Sequence, residues 1–304
     1  MSTVYVTRGR RRRRQAMLMV ALSLAVITCW KTADALTAAS STGRSSTKTH
    51  PSVAWPAQGS AAVAVGGGQI RRSGPDRPVP IASLAKVMTA LVVLRSRPIS
   101  ADEPGFTITI TSDDVVDTER RRADGESVVA VADGEELTER QALQALLLPS
   151  ANNIAMALAR AVSGTVDAFV DEMNSEARRL AMTSTVYTDP SGYDPGTVST
   201  ARDQLLLARA AMRIDAFAEI VAEPAAIIPQ AGVVHNTDGL LGQDGFVGVK
   251  TGSDSAAGGC FMFAVRGHSR QLLYGVVLGQ RDGPLIPAAL NVAHRLADSI
   301  GSRG

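Results

Sequence analysis

Strand-like and helix-like patterns occupy separate blocks of this chain, and their order limits the possible fold more strongly than any single motif does. A short apolar run at 61–65, followed by three glycines, predicts an N-terminal hairpin. From Leu84 onward, apolar residues recur every three to four positions, which predicts a buried helix followed by further helices. The C-terminal part returns to strand patterns and closes with a helix, at 246–249, 259–265, 271–278 and 287–300. The chain therefore has β regions near both ends and a helical region between them.

Local signals predict where several helices of the central block begin and end. Thr138 and Gln141 have the spacing of a capping box, which predicts a helix at 139–148. Further helices are predicted at 152–162, 166–180 and 201–213, the last of them capped by Ser199 or Thr200. The strongly charged segment 113–122 is interpreted as a solvated loop or an exposed helix.

The N-terminus has the residue order of a secretory signal peptide. Six arginines lie between Arg8 and Arg14, residues 16–30 carry no charge, and Ala33-Asp34-Ala35 provides a small-x-small cleavage site. A helix over this uncharged stretch spans only about 22 Å, less than the ~30 Å hydrocarbon core of a membrane. A cleaved signal is therefore favoured over a retained anchor.

Removal of this signal changes the sign of the net charge. The full chain has 304 residues, a formal charge of +2 and a pI near 8.7, which alone would suggest a nucleic-acid partner. Cleavage after Ala35 removes seven of 31 basic and one of 29 acidic residues, leaving 24 against 28, a net charge near −4. We therefore predict a signal peptide at 1–35, a flexible tether at 36–52 and an exported, extracytoplasmic domain at 53–304. No nucleic-acid partner is expected, and membrane contact is expected only through an uncleaved signal.

Ser83 and Lys86 form the most informative pair of the exported part. On the first turn of a helix, residues i and i+3 share one face, which brings the Lys86 amine within reach of the Ser83 hydroxyl. The helix N-terminus and partial burial both disfavour a protonated lysine and so lower its pKa towards that of a general base. This pair alone is weak, because a capping serine and a lysine reaching to solvent explain the same spacing.

Two further motifs make a catalytic interpretation of the Ser83–Lys86 pair specific. Ser150-Ala151-Asn152 lies at a helix junction, and Lys250-Thr251-Gly252 ends the predicted strand at 246–249. With Ser-x-x-Lys, Ser-x-Asn and Lys-Thr-Gly in this order, the chain resembles the D-alanyl-D-alanine carboxypeptidases of the low-molecular-mass penicillin-binding protein group. The resemblance covers about 53–300. It implies an α/β fold of the β-lactamase/transpeptidase type, with an antiparallel sheet flanked by helices and a mainly helical subdomain at about 84–223.

The resemblance also implies a role for each motif residue. Ser83 would attack the carbonyl of the penultimate D-alanine of a peptidoglycan stem pentapeptide, Lys86 would take the serine proton, and Ser150 would relay a proton to the leaving D-alanine. Asn152 would hold Lys86 and the substrate amide, Lys250 would tune the electrostatic field across the cleft, and Thr251 would offer its hydroxyl to the terminal carboxylate. A side chain at Gly252 would block a peptide laid along the strand edge. The N–H groups of Ser83 and Ser253 would form the oxyanion hole. β-Lactams would bind covalently to Ser83, and no cofactor or metal is expected.

Departures from the family pattern leave alternatives open. The family often has Asn-x-Asn-x-Leu-Leu before its last motif, whereas this chain has Asn236-Thr237-Asp238-Gly239-Leu240-Leu241. His235 is interpreted as a structural or surface histidine, and Cys260, in an apolar strand, as an inert buried thiol. A class A-like β-lactamase and a non-catalytic penicillin-binding wall protein remain alternatives, although no Glu-x-x-Leu-Asn is present. Endopeptidase activity at the same site also stays open.

Overall fold

The computed structural model describes residues 53–100, 102–267 and 271–301. The predicted signal peptide at 1–35 and tether at 36–52 lie outside these residues. The strands are β1 (Ser60–Val65), β2 (Arg71–Ser73), β3 (Val79–Pro80), β4 (Thr107–Thr109), β5 (Glu136–Thr138), β6 (Val198–Ser199), β7 (Ala225–Ile228), β8 (Gly232–His235), β9 (Phe246–Asp254), β10 (Gly258–Arg266) and β11 (Leu272–Gln280). The helices are α1 (Ala85–Ser96), α2 (Ser112–Ala123), α3 (Glu139–Leu147), α4 (Asn152–Ser163), α5 (Val166–Arg179), α6 (Ala201–Ala211), α7 (Asp215–Val221) and α8 (Leu285–Gly301).

The main sheet is antiparallel and joins the two ends of the described chain. Its strand order is β2-β1-β11-β10-β9, so the N-terminal hairpin pairs with the last strand and β9 lies at an edge. Successive side chains of β10 point to opposite faces. Phe261 and Phe263 pack in one cluster with Leu296 of α8, whereas Met262 and Ala264 belong to the cluster formed with the helical block. The predicted fold class is therefore confirmed.

Helix α1 lies at the centre of the helical block. Every residue from Ala85 to Leu94 is buried, because the helix has apolar or small residues on nearly all sides and packs against helices on several faces. A 3-10 turn at Ala82–Leu84 leads into α1 and packs against the edge strand β9. The first turn of α1 is thus held between the helical block and the sheet, which places Lys86 in the protein interior.

Local capping signals correctly located the starts of two helices. Thr138 and Gln141 form the reciprocal capping box, and Thr200 caps α6 by accepting from the Asp203 N–H. Other boundaries depended on long-range pairing. Strand β9 continues to Asp254, because it pairs with β10 along this whole length, so the Lys-Thr-Gly motif lies inside the strand and not at its end. The short helix α7 and the hairpin β7–β8 were missed, and the subdomain boundaries at about 84–223 stay a prediction.

Candidate active site

The Ser83 hydroxyl and the Lys86 amine are in direct contact. Lys86 Nζ lies 2.8 Å from Ser83 Oγ and also donates to Asn152 Oδ1 at 2.6 Å and to the Ser191 carbonyl oxygen at 2.9 Å. Ser83 is half-buried in the 3-10 turn, whereas Lys86 is completely buried on the first turn of α1. The i to i+3 spacing therefore brings the two groups together as the sequence predicted.

Burial sets the protonation of Lys86. It lowers the pKa of the amine well below its ordinary value, and the positive charge of Lys250 lowers it further. Asp189 and Glu126 oppose this shift, and Arg121 adds weakly to it. A neutral lysine has a lone pair for the Ser83 proton, and the three oxygens around Nζ accept hydrogen bonds from the ammonium that then forms. The arrangement suits a general base.

A tight turn at 189–193 holds the back of this site. One Asp189 carboxylate oxygen accepts from the N–H groups of Ser191, Gly192 and Tyr193, which fixes the turn and aims the Ser191 carbonyl at Lys86. Gly192 has a φ of +80°, and a Cβ there would overlap the Ala82 carbonyl. The turn therefore needs glycine to approach the residue next to Ser83.

Ser150 and Asn152 come from the bend between α3 and α4. Ser150 has a φ of +69°, in the left-handed region that a serine rarely adopts, and its buried Oγ has no hydrogen-bond partner among the described residues. Asn152 is buried and joins two neighbours: its Oδ1 accepts from Lys86 and its Nδ2 donates to Glu126 at 2.6 Å. The strained bend thus leaves one hydroxyl unused by the protein while fixing the amide.

Lys250 and Thr251 lie inside the edge strand β9. Lys250 is buried, and its Nζ donates to the Thr251 carbonyl oxygen at 3.0 Å. Burial lowers the pKa of Lys250 to about 7, against the opposing charge of Asp238. The Thr251 hydroxyl shares a 2.6 Å hydrogen bond with Thr237. The strand therefore carries a titrating positive charge and a hydroxyl side by side.

Gly252 lies against the turn that carries Ser83. A Cβ at Gly252 would lie 3.0 Å from the Ser83 backbone nitrogen and 3.2 Å from that of Leu84. The absence of a side chain thus keeps space in front of the Ser83 N–H, which adds to the role at the strand edge expected from the sequence. Ser253, the next residue of β9, is exposed. The three motifs meet where β9, the 3-10 turn and the bend before α4 come together.

Comparison with known proteins decides the family. The family described as D-alanyl-D-alanine carboxypeptidase matches residues 49–282. The chain belongs to this carboxypeptidase family. Members are serine peptidases, so the enzyme class predicted from the sequence is confirmed. Covalent β-lactam binding is typical of the family, which acts on peptidoglycan peptides.

Two individual relatives and one crystal structure are similar to this chain over more than half of its length. The D-alanyl-D-alanine carboxypeptidase DacB2 of Mycobacterium tuberculosis is 38% identical over 216 residues, which cover 68% of this chain and 70% of the relative. A D-alanyl-D-alanine endopeptidase of Escherichia coli is 30% identical over 199 residues, covering 62% of this chain and 60% of its own. The crystal structure of the Streptomyces K15 DD-transpeptidase superposes with a TM-score of 0.70 at 27% identity, covering 82% of this chain and 97% of that one.

Several residues of this carboxypeptidase site were not assigned a role from the sequence. They are Glu126, which contacts Asn152, the Ser191 carbonyl beside Lys86, Thr237 beside Thr251, and Asp238 near Lys250. The sequence marked Asp238 as a departure from the family pattern, where an asparagine is usual, but gave it no role. Glu126 follows Gly125 just after a helix, and only the tertiary structure shows that it contacts Asn152.

Other sequence interpretations concern residues outside the catalytic cluster. Cys260 is buried, and burial raises the pKa of its thiol to about 12, as expected of an inert cysteine. His235 is exposed at the end of β8. No group of three or more potential metal-ligating side chains is found in the described part of the chain. Over the same residues, no helix is long and apolar enough to cross a membrane.

Proposed function

We propose that this carboxypeptidase acts through an acyl-enzyme on Ser83 and removes the terminal D-alanine from peptidoglycan stem pentapeptides. The observation that carries the proposal is the buried Lys86 amine, which lies 2.8 Å from Ser83 Oγ and has further acceptors for the proton that it takes up. A buried, neutral amine next to a hydroxyl is the Ser-Lys form of an activated nucleophile.

The acylation step follows from these positions. As Ser83 Oγ attacks the carbonyl carbon of the penultimate D-alanine, its proton passes to Lys86 Nζ. The oxyanion receives hydrogen bonds from the N–H groups of Ser83 and Ser253. The C–N bond then breaks, and the proton on Lys86 passes through the free Ser150 hydroxyl to the nitrogen of the leaving D-alanine. Water hydrolyses the resulting ester and regenerates Ser83.

The positive charge on β9 accounts for the choice of a C-terminal substrate. Lys250 supplies that charge, and the Thr251 hydroxyl, which can act as donor or acceptor with Thr237, is placed to bind the terminal carboxylate. Because β9 is an edge strand, a peptide can lie along it in the extended form. The family is typically found in the periplasm or cell wall, and we propose that the segment 1–35 exports the domain to this compartment.

A labelled penicillin tests the nucleophile. The wild-type protein is expected to form a covalent adduct, Ser83→Ala is expected to abolish it, and the exposed Ser112→Ala is the matched control that keeps it. An adduct that persists on folded Ser83→Ala would contradict the assignment.

Product analysis separates the carboxypeptidase from its alternatives. Incubation with a pentapeptide ending in D-Ala-D-Ala is expected to release one equivalent of D-alanine per peptide. A class A-like β-lactamase would instead clear the penicillin adduct rapidly, and a non-catalytic wall protein would release no D-alanine. Cleavage of cross-linked peptides by the same preparation would show that the enzyme also has endopeptidase activity.

A further inference from the structure

The end of helix α2 brings a charged residue to the back of the active site. Gly125 takes a φ of +77°, its N–H donates to the Arg122 carbonyl at 3.1 Å, and the Glu126 N–H donates to the Arg121 carbonyl at 2.9 Å. This is the pair of hydrogen bonds of a Schellman motif, which reverses the chain after the helix. Glu126 is thereby placed beside Arg121, and the next residue, Ser127, accepts the Asn152 N–H at 2.7 Å.

The side chains continue this connection as a chain of charged groups that are buried or half-buried. Glu126 is only 4% exposed and accepts from Arg121 Nη1 at 2.9 Å and from Asn152 Nδ2 at 2.6 Å. Arg121, 12% exposed, also donates through Nε to Asp117 at 2.6 Å. A continuous series of contacts therefore connects Asp117 to Arg121, Arg121 to Glu126 and Glu126 to Asn152. Asn152 in turn contacts Lys86.

A carboxylate at this place fixes the orientation of the Asn152 amide. An ionised carboxylate only accepts hydrogen bonds, so the NH₂ end of the amide must face Glu126 and the oxygen must face Lys86. The reversed amide would point its NH₂ group at the Lys86 amine and its oxygen at the Glu126 carboxylate. The two oxygens could not share a hydrogen bond, and the NH₂ group would compete for the Lys86 lone pair that takes up the Ser83 proton, so Glu126 selects one of the two orientations of the Asn152 amide.

We propose that Glu126, held by Arg121 and Asp117, is a positioning residue that keeps the Asn152 oxygen on Lys86 and so keeps Lys86 on Ser83. The proposal rests on the roles given above to Ser83 and Lys86. It assigns a function to the charged segment that the sequence suggested was a solvated loop or an exposed helix. Asn153 supports the same contact, because it binds the backbone of Val129 through both ends of its amide and thus fastens the loop to α4.

The charges around Lys86 predict a change in the pH dependence of acylation that a purely structural role of Glu126 would not produce. The charged groups that act on the amine are Lys250, Asp189, Glu126 and Arg121. The negative charge of Glu126 raises the pKa of Lys86, and the positive charge of Arg121 lowers it. Removal of the Glu126 charge therefore moves the acidic limb of the acylation pH profile to lower pH, and removal of the Arg121 charge moves it to higher pH. A loss of stability alone does not move this limb.

The central experiment compares Glu126→Gln with Glu119→Gln in the full chain. Glu119 lies on α2, its side chain is 62% exposed and pairs with the exposed Arg122, so its variant removes an equal charge from the neighbouring helix without touching Asn152. We expect Glu126→Gln to reduce the second-order rate constant of acylation by a labelled penicillin about 10- to 100-fold, as a misplaced catalytic group does. Its acidic limb is expected at lower pH than in the wild type, and Glu119→Gln is expected to keep both the rate and the limb.

Two further variants, Arg121→Gln and Ser83→Ala, complete the experiment. Arg121→Gln is expected to slow acylation and to move the acidic limb to higher pH, and it decides the matter if Glu126→Gln does not fold. The proposal is overturned if folded Glu126→Gln has the wild-type acylation rate and an unchanged acidic limb of the pH profile. If Glu126→Gln does not fold, the same result for folded Arg121→Gln overturns it. If Ser83→Ala loses the penicillin adduct while the Glu126 and Arg121 variants behave like the wild type, only the role of Glu126 is overturned. If Ser83→Ala still forms the adduct, the proposed nucleophile itself is overturned.

Discussion

At the scale of single residues, the candidate site contains two buried lysines. Residues 53–304 contain many arginines but only Lys86 and Lys250 as lysines, and both are buried in the candidate site. This choice has a physical reason, because burial can neutralise an ammonium near physiological pH, whereas a guanidinium keeps its charge. The pKa of Lys86 is lowered well below its ordinary value and that of Lys250 to about 7, so a base and a titrating cation coexist in one cleft.

Asp238 tunes the second of these lysines. Its carboxyl is 5% exposed, burial raises its pKa to about 6, and its charge raises the pKa of Lys250. Asp238→Asn restores the asparagine of the family pattern and removes that charge, so the pKa of Lys250 is expected to fall below about 7. If the proposed binding of the terminal carboxylate uses protonated Lys250, the KM for a D-Ala-D-Ala peptide should begin to rise at lower pH than in the wild type.

Steady-state kinetics between pH 5.5 and 8.5 measures this displacement. A shift of one pKa unit corresponds to about a tenfold change in KM on the alkaline side. The exposed Asp282→Asn serves as the control for a lost surface charge. An alkaline limb that is identical in wild type and Asp238→Asn would show that Asp238 does not act on Lys250.

At the scale of elements, the site depends on the close approach of β9 to the 3-10 turn at 82–84. Thr138 and Thr200 define their helix starts from nearby residues, so capping was predictable from the sequence. The length of β9 was not, because Lys250, Thr251 and Gly252 have no strand-like apolar pattern and become part of the strand only by pairing with β10. The role of Glu126 was hidden for the same reason, since its partner Asn152 lies 26 residues away.

Gly252→Ala tests the approach of the two elements. The new Cβ would lie 3.0 Å from the Ser83 backbone nitrogen, in the space that the oxyanion needs. Loss of one oxyanion donor costs about 100-fold in rate, so acylation by a labelled penicillin should slow by this order.

The melting temperature is measured alongside, and Gly67→Ala provides the control, because a Cβ at Gly67 meets no atom within 4 Å. Acylation of Gly252→Ala at the rate of the Gly67→Ala control would argue against a functional close approach.

At the scale of the whole molecule, charge and export are linked. The predicted signal contains seven of the 31 basic residues, so the full chain has a formal charge of +2 and residues 36–304 have one near −4. We predict that the exported protein begins after Ala35, which intact-mass measurement of the protein secreted from an expression host checks directly. Isoelectric focusing is expected to place this protein below pH 7, and an exported product with the mass of the full chain would contradict the prediction.

The sequence by itself determined the family, the order of the strand-rich and helical blocks, two helix caps and the residues of the three motifs. These features depend on residue identity, on short-range spacing and on periodicity, all of which are present along one stretch of chain. Only the tertiary structure decided that Lys-Thr-Gly lies within a strand, that Gly252 faces the Ser83 N–H, that Glu126 contacts Asn152 and that Asp238 lies near Lys250. Burial and contacts between distant residues set these features, because they determine which charges lose water and which groups meet.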